Sequence, residues 1–164
     1  MRFKDIFLCI LSGIIMALPF SFGALWILAW FGFLPLFFAL QGKSKIKAFL
    51  LSSLTGIVFW WGTIYWLVHV TLPGTIVLIF YLALYFGIFG SFFVTACRKP
   101  SSITYLLIPS VWVLLEYGRS YLLTGFPWAL LAYSQQLNLP LIQISDITGA
   151  WGVSFLVMMG NVMI

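Results

Sequence analysis

The sequence predicts an all-α integral membrane protein, a polytopic bundle of about six transmembrane helices with the last one truncated. Three observations carry this. The chain is 63% hydrophobic and only 7% charged, more apolar surface than a soluble domain of this length could hide. The apolar residues fall in long uncharged runs on the scale of the roughly 20 residues that one membrane crossing needs. The basic residues sit in short polar breaks between those runs, so the net charge of +5 reports topology rather than a nucleic-acid surface.

Taken in order, the N-terminus carries Arg2 and Lys4, and the chain then runs uncharged from Ile6 through Gly42. That is too long for one span. The turn-prone stretch Pro19-Phe20-Ser21-Phe22-Gly23 divides it into a tight hairpin of helices at about 6–18 and 24–40. A cleaved signal peptide would share the basic start, but no small-x-small cleavage site is clear and the apolar run continues past it. Lys43, Lys45 and Lys47 follow, and then a run broken only by His69 and Thr71-Leu72-Pro73-Gly74 supplies helices at about 48–69 and 75–97. Arg98-Lys99-Pro100 ends it. A fifth helix is expected at about 103–123, with Pro109 either kinking it or marking its first turn. An outer loop at 124–149 comes next, in which Pro140 falls in the first turn of a short surface helix bearing Leu141, Ile142, Ile144 and Ile147. The sixth run, about 150–164, is too short to cross a membrane at about 1.5 Å per residue, so the chain is expected to be a fragment cut inside a helix.

Orientation follows from the Lys/Arg asymmetry. The N-terminus, the three-lysine turn and Arg98-Lys99 lie on one side, while the Pro19 and Pro73 turns carry no Lys or Arg. Positive residues collect in the cytoplasm, which predicts a cytoplasmic N-terminus and an external 124–149 loop.

The stretch from Trp112 to Gln135 concentrates the unusual residues. Glu116 is one of three acidic residues, and Arg119 is the one basic residue outside the polar breaks. Trp112, Glu116 and Arg119 are spaced i, i+4, i+7 and share one helix face, so the acid and the guanidinium form a candidate ion pair. Counted from Ser102 along a straight helix, Glu116 lies about 21 Å and Arg119 about 26 Å across a core of about 30 Å. Ionisable groups at such depth are costly, and the spacing leaves open whether this pair is structural or faces a substrate. Gly125 can end the helix with a positive φ and Pro127 forces Phe126 to be extended, while Phe126 and Trp128 also suit an aromatic belt at the interface.

Other chemistry is missing from the sequence. It holds no Gly-rich phosphate loop, no carboxylate pair close in sequence and no His/Cys grouping at metal spacing, so neither a metal nor a cofactor is expected. Cys9 and Cys97 stand apart from any base and read as small packing residues rather than nucleophiles. His69 reads as an interfacial polar residue rather than a proton relay.

The strings Glu116-Tyr117-Gly118-Arg119, Thr124-Gly125-Phe126-Pro127-Trp128, Tyr133-Ser134-Gln135 and Asp146-Ile147-Thr148-Gly149-Ala150-Trp151-Gly152 closely resemble the membrane domain of bacterial apolipoprotein N-acyltransferase. Leu18-Pro19-Phe20-Ser21-Phe22-Gly23, with Trp26, Trp30 and Pro35, resembles that family's first hairpin, and Gly62 to Trp66 its third helix. The resemblance implies a multi-pass enzyme of the bacterial inner membrane. Such an enzyme moves an acyl chain from a phospholipid donor, through a cysteine thioester, to the α-amino group of a diacylglyceryl lipoprotein acceptor. The family's Glu, Lys and Cys triad belongs to a nitrilase-like domain that follows the membrane helices, so no residue of this chain is expected to be catalytic. What remains for this part is to admit, orient and anchor lipid, with Glu116, Arg119, Phe126, Pro127, Trp128, Tyr133 and Gln135 as the substrate-binding candidates. The alternatives are a non-catalytic membrane scaffold and a small transporter or channel subunit. Sequence continuing past Ile164 into a Glu/Lys/Cys domain would favour the enzyme over either.

Overall fold

The computed structural model describes residues 2–164, Thr124 by its backbone alone; Met1, with which the expected first segment begins, lies outside the described residues. Among the described residues every regular element is helical. Five long helices, α1 (Phe3–Ser21), α3 (Lys45–Ile64), α4 (Leu72–Ala96), α5 (Thr104–Tyr121) and α7 (Ser145–Met163), form the bundle, with short α2 (Leu34–Leu40) and α6 (Leu139–Ile142) between them. Tight 3-10 turns occupy Gly23–Trp30, Tyr65–His69, Leu122–Thr124 and Leu131–Gln135. Among the described residues four stretches are long and apolar enough to cross a membrane: Phe3–Ser21, Gly23–Leu40, Lys45–His69 and Leu72–Ala96. The protein is an all-α membrane bundle.

Several boundaries differ from the sequence expectation. Pro19 lies inside α1 rather than ending it, and α1 starts early enough to take in Lys4 and Asp5. There the Asp5 carboxylate accepts the Arg2 backbone N–H at 3.1 Å and pairs with Lys43 at 2.6 Å, satisfying a free helix-end donor. Pro109 falls well within α5 rather than in its first turn. Gly149, with φ +65°, kinks α7 just before Ala150, so the helix begins earlier than expected and its regular part follows that kink.

The largest difference concerns the second run. Residues 24–40 do not form one helix but a 3-10 segment, a turn at Phe31–Phe33 and α2. Pro35 has no N–H, and its ring would strike the carbonyl four residues back, at Phe31, in a continuous helix. Backbone groups freed inside a membrane must be satisfied by protein. Here the Ser12 hydroxyl donates to Gly32 O (2.5 Å), Gln135 Nε2 donates to Trp26 O (2.9 Å), and Asn161 Nδ2 donates to Ala29 O (2.8 Å) while Asn161 Oδ1 accepts from Phe33 N (2.9 Å). Three side chains from α1, the 131–135 turn and α7 thus close the break.

Small residues let the helices approach. On α4, a methyl group added at Gly90 would meet the Ser52 hydroxyl, and one at Gly87 would meet Ser53 and the Phe49 ring, so α3 and α4 lie nearly backbone to backbone. Aromatic rings fill the centre. Phe33 lies edge-on to Trp112 at 4.7 Å, and Trp112 lies edge-on to Phe86 and Phe89 at 5.0 Å, which joins the broken span to α4 and α5.

Candidate functional site

The conspicuous side chains gather where α5 ends. Past Tyr121 the chain makes a 3-10 turn, passes Leu123 (φ +48°) and Gly125 (φ +80°), and folds back over the helix it has just left. A Cβ at Gly125 would run into the Ser120 carbonyl, so this reversal requires glycine. The Phe126 N–H then donates to Arg119 O at 2.9 Å, holding the loop against the helix end.

Arg119 and Glu116 complete the clamp. Both are buried, at 4% and 3% exposure. Arg119 Nη1 donates to the carbonyls of Phe126 and Trp128, each at 2.7 Å, and its guanidinium lies over the Trp60 ring, 4.8 Å from the centroid. Glu116 Oε1 accepts the Leu131 N–H at 2.7 Å. Ser154 of α7, whose hydroxyl accepts the Ala132 N–H at 3.0 Å, adds a further tie to the same loop.

The expected Glu116–Arg119 ion pair is absent: among the described residues the ion pair formed is Lys43–Asp5. The two side chains share a face, as the spacing requires, but each meets the backbone of the 126–131 loop instead of the other. Two carbonyls and an indole face engage the guanidinium, and an amide engages one oxygen of the carboxylate. Among the described residues, Glu116 Oε2, Trp112 Nε1 and Trp60 Nε1 find no hydrogen-bond partner. Beside them lies a cavity of about 20 Å³ lined by Trp60, Tyr85, Phe86, Trp112, Glu116 and Arg119, large enough for about one water molecule.

The other candidates separate into two groups. Phe126 and Trp128 belong to the clamp: Phe126 meets Trp60 edge-on at 5.8 Å and Trp128 stacks on Trp66 at 5.2 Å, with Pro127 exposed between them. Gln135 is fully buried and occupied, since Oε1 accepts the Trp30 indole N–H at 3.0 Å and Nε2 holds Trp26 O and Ser134 Oγ. Tyr133 is half-exposed and lines a separate 300 Å³ cleft with Gln136, Ile142 and Ser145, so it does not join the Arg119 group. Cys9 is buried in α1 and Cys97 exposed after α4, and His69 is exposed with its ring Nδ1 3.1 Å from Trp66 O.

Sequence reasoning missed an apolar cleft of about 460 Å³ beside the clamp. The first turns of α4 (Pro73, Gly74, Val77, Leu78, Tyr81) form one wall, and Leu122, Leu123, Gly125 and Phe126 form the other. It lies between the start of α4 and the segment that follows α5. The turn chemistry of Pro73-Gly74 and Thr124-Gly125 was visible in the sequence, but their apposition was not.

Residues 12–163 match the family described as the apolipoprotein N-acyltransferase N-terminal domain. The chain is 40% identical over 173 residues to the apolipoprotein N-acyltransferase of Geobacter metallireducens, covering 98% of this chain and 33% of that protein. It is 32% identical to the Rickettsia prowazekii protein of the same name over 94% of this chain and 33% of that protein, and 31% identical to that of Pasteurella multocida over 93% and 30%. The chain therefore spans about a third of the length of these curated relatives. A match across almost the whole chain makes it a member of the apolipoprotein N-acyltransferase family, corresponding to that family's N-terminal domain.

Proposed function

We propose that this chain is the lipid-handling membrane part of an enzyme that transfers an acyl chain from a phospholipid to the N-terminal diacylglyceryl-cysteine of lipoproteins. In this reading it admits, orients and anchors lipid in the bacterial inner membrane, with its N-terminus cytoplasmic. Catalysis is left to residues outside this chain.

The observation that carries the reading is the 460 Å³ apolar cleft between α4 and the 122–126 loop, next to the buried Arg119. Lipid sites combine an apolar wall for acyl chains with few polar groups at headgroup depth. Val77 and Leu78 offer such a wall. Arg119 and Glu116 act on the loop that closes it, since their bonds fix the backbone of Phe126, Trp128 and Leu131. Phe126, Pro127 and Trp128 shape the mouth, and a lipid phosphate reaching Arg119 would have to displace a loop carbonyl from the guanidinium. Tyr133, on its separate cleft, and Gln135, buried against Trp26 and Trp30, stand outside this site.

The test is Val77→Trp in the longest polypeptide that carries this chain. Val77 is 69% exposed, so the indole fills the cleft without disturbing the core. Acyl transfer from phospholipid to a diacylglyceryl peptide should fall at least tenfold with the melting temperature unchanged. Ile88→Trp, on an exposed part of α4 away from the cleft, is the control. A Val77→Trp rate equal to that of the control would defeat the reading.

A further inference from the structure

At the other end of the bundle, seven of the eight Lys and Arg residues, all but Arg119, lie near the start of α1, the α2–α3 turn and the end of α4. Two adjoining clefts open among them. One, of about 400 Å³ and polar, is lined by Arg2, Asp5, Gln41, Lys43, Ser44 and Lys47. The second, of about 470 Å³, is lined by Phe37, Leu40, Phe93, Val94, Cys97 and Arg98. Gln41, Gly42 and Lys43 form the ridge shared by both. Gly42 (φ +68°) makes the turn that sets this ridge, and nothing packs on its Cβ position.

The charge is unbalanced. Asp5 is the one acidic side chain in the polar cleft, and Lys43 already pairs with it at 2.6 Å. Arg2 and Lys47 remain as exposed cations on either side, beside the N-terminus of the 20-residue α3. That helix end adds its partial positive charge. The neighbouring cleft continues between α2 and α4 along the flank of the membrane spans, floored by the stacked rings of Phe37 and Phe93 at 4.2 Å.

The geometry points to a binding site for one anionic phospholipid, its phosphate in the Arg2–Lys43–Lys47 cleft and an acyl chain against Phe37, Leu40, Phe93 and Val94. Charge complementarity selects the anion. The apolar half, between two stretches apolar enough to cross a membrane, selects a lipid: a free anion or a nucleic acid brings no hydrocarbon, and an acidic peptide offers no acyl chain to lie along Phe37 and Phe93. The site lies at the opposite end of the bundle from Arg119 and takes part in no acyl transfer, so its occupancy is read independently of the proposed function.

Phosphatidylglycerol is the probe, titrated into the delipidated full-length polypeptide in neutral detergent while the melting temperature is followed. Phosphatidylglycerol should raise it, whereas phosphatidylcholine, diacylglycerol and inorganic phosphate should not. Each surface cation contributes roughly a fivefold gain toward an anionic lipid, so Arg2→Gln/Lys47→Gln should weaken apparent binding about 25-fold. This variant keeps the Lys43–Asp5 pair. Cys97→Trp, which blocks the apolar cleft from an exposed position, should weaken it as well. If Arg2→Gln/Lys47→Gln does not fold, Arg2→Gln alone should still lose roughly fivefold. Equal stabilisation by phosphatidylcholine, full stabilisation by inorganic phosphate, or undiminished phosphatidylglycerol binding in the cation variant that folds and in Cys97→Trp would overturn the site.

Discussion

Replacing Arg119 with lysine separates the shape of the guanidinium from its charge. The lysine nitrogen ends near the position of the guanidinium carbon, so a cation stays over Trp60. It falls about one bond length, roughly 1.3 Å, short of Nη1. The two 2.7 Å bonds to Phe126 O and Trp128 O would then stretch beyond hydrogen-bond range. Each bond to a charged donor is worth about 1.5–3 kcal/mol, giving a gross loss of about 3–6 kcal/mol. Loop relaxation that restores one of the two bonds brings the expected cost to about 1.5–3 kcal/mol. Reversible unfolding in mixed micelles measures that loss, and hydrogen exchange at the Phe126 and Leu131 amides reports the loop directly. Both amides should exchange faster in Arg119→Lys, because Leu131 reaches Glu116 only while the loop is seated. A variant within about 0.5 kcal/mol of the parent, with unchanged exchange at both amides, would refute the clamp.

Three further outcomes can be checked. Asn161→Leu strands the Phe33 N–H and the Ala29 carbonyl inside the bundle and should cost about 3–5 kcal/mol in the same unfolding assay; a loss below about 1 kcal/mol would show that the break closes without it. Gly125→Ala combines a strained positive φ with a Cβ driven onto the Ser120 carbonyl, and should cost about 2–3 kcal/mol or unseat the loop; melting at the parental temperature with a protected Phe126 amide would contradict that geometry. With Cys9 replaced by alanine, Cys97 should react with an impermeant maleimide in inverted membrane vesicles but not in intact cells, as a cytoplasmic N-terminus requires. Burial of the thiol's flank raises its pKa above the ordinary range, so less thiolate is present at neutral pH and the rate should still be rising with pH beyond 9, whereas a plateau near pH 8 would exclude the shift.

The apolar runs were legible because hydrocarbon demands length and composition, and both are local properties of the chain. The break in the second run was legible in principle, since Pro35 forbids a continuous helix through Phe31, yet length alone suggested one helix there. Gln135 and Asn161 could not be read as backbone partners. The backbone groups they answer in the broken span lie 109 to 132 residues away in sequence, and nothing local marks the pairing. At α5 the spacing correctly put Glu116 and Arg119 on one face, but spacing states only which groups can meet. It does not count competing acceptors, and the returning loop supplied better ones. Tyr133 and Gln135, close in sequence, part because one faces a cleft and the other is sealed in the core.

The interrupted span has a consequence for biosynthesis. Ala29 and Phe33 leave the ribosome about 130 residues before Asn161, the side chain that answers their open carbonyl and amide. Until α7 arrives, this crossing holds polar backbone that lipid cannot solvate, and each unanswered group costs several kcal/mol there. The second segment should therefore wait, sheltered by the insertion machinery or shallow in the interface, and take its final depth only after α7 docks. Ribosome-stalled chains ending before Asn161 should expose position 29 to water-soluble reagents once Ala29 is replaced by cysteine, and chains extending well beyond it should protect that buried position. The order of assembly is thereby expected to depart from the order of synthesis.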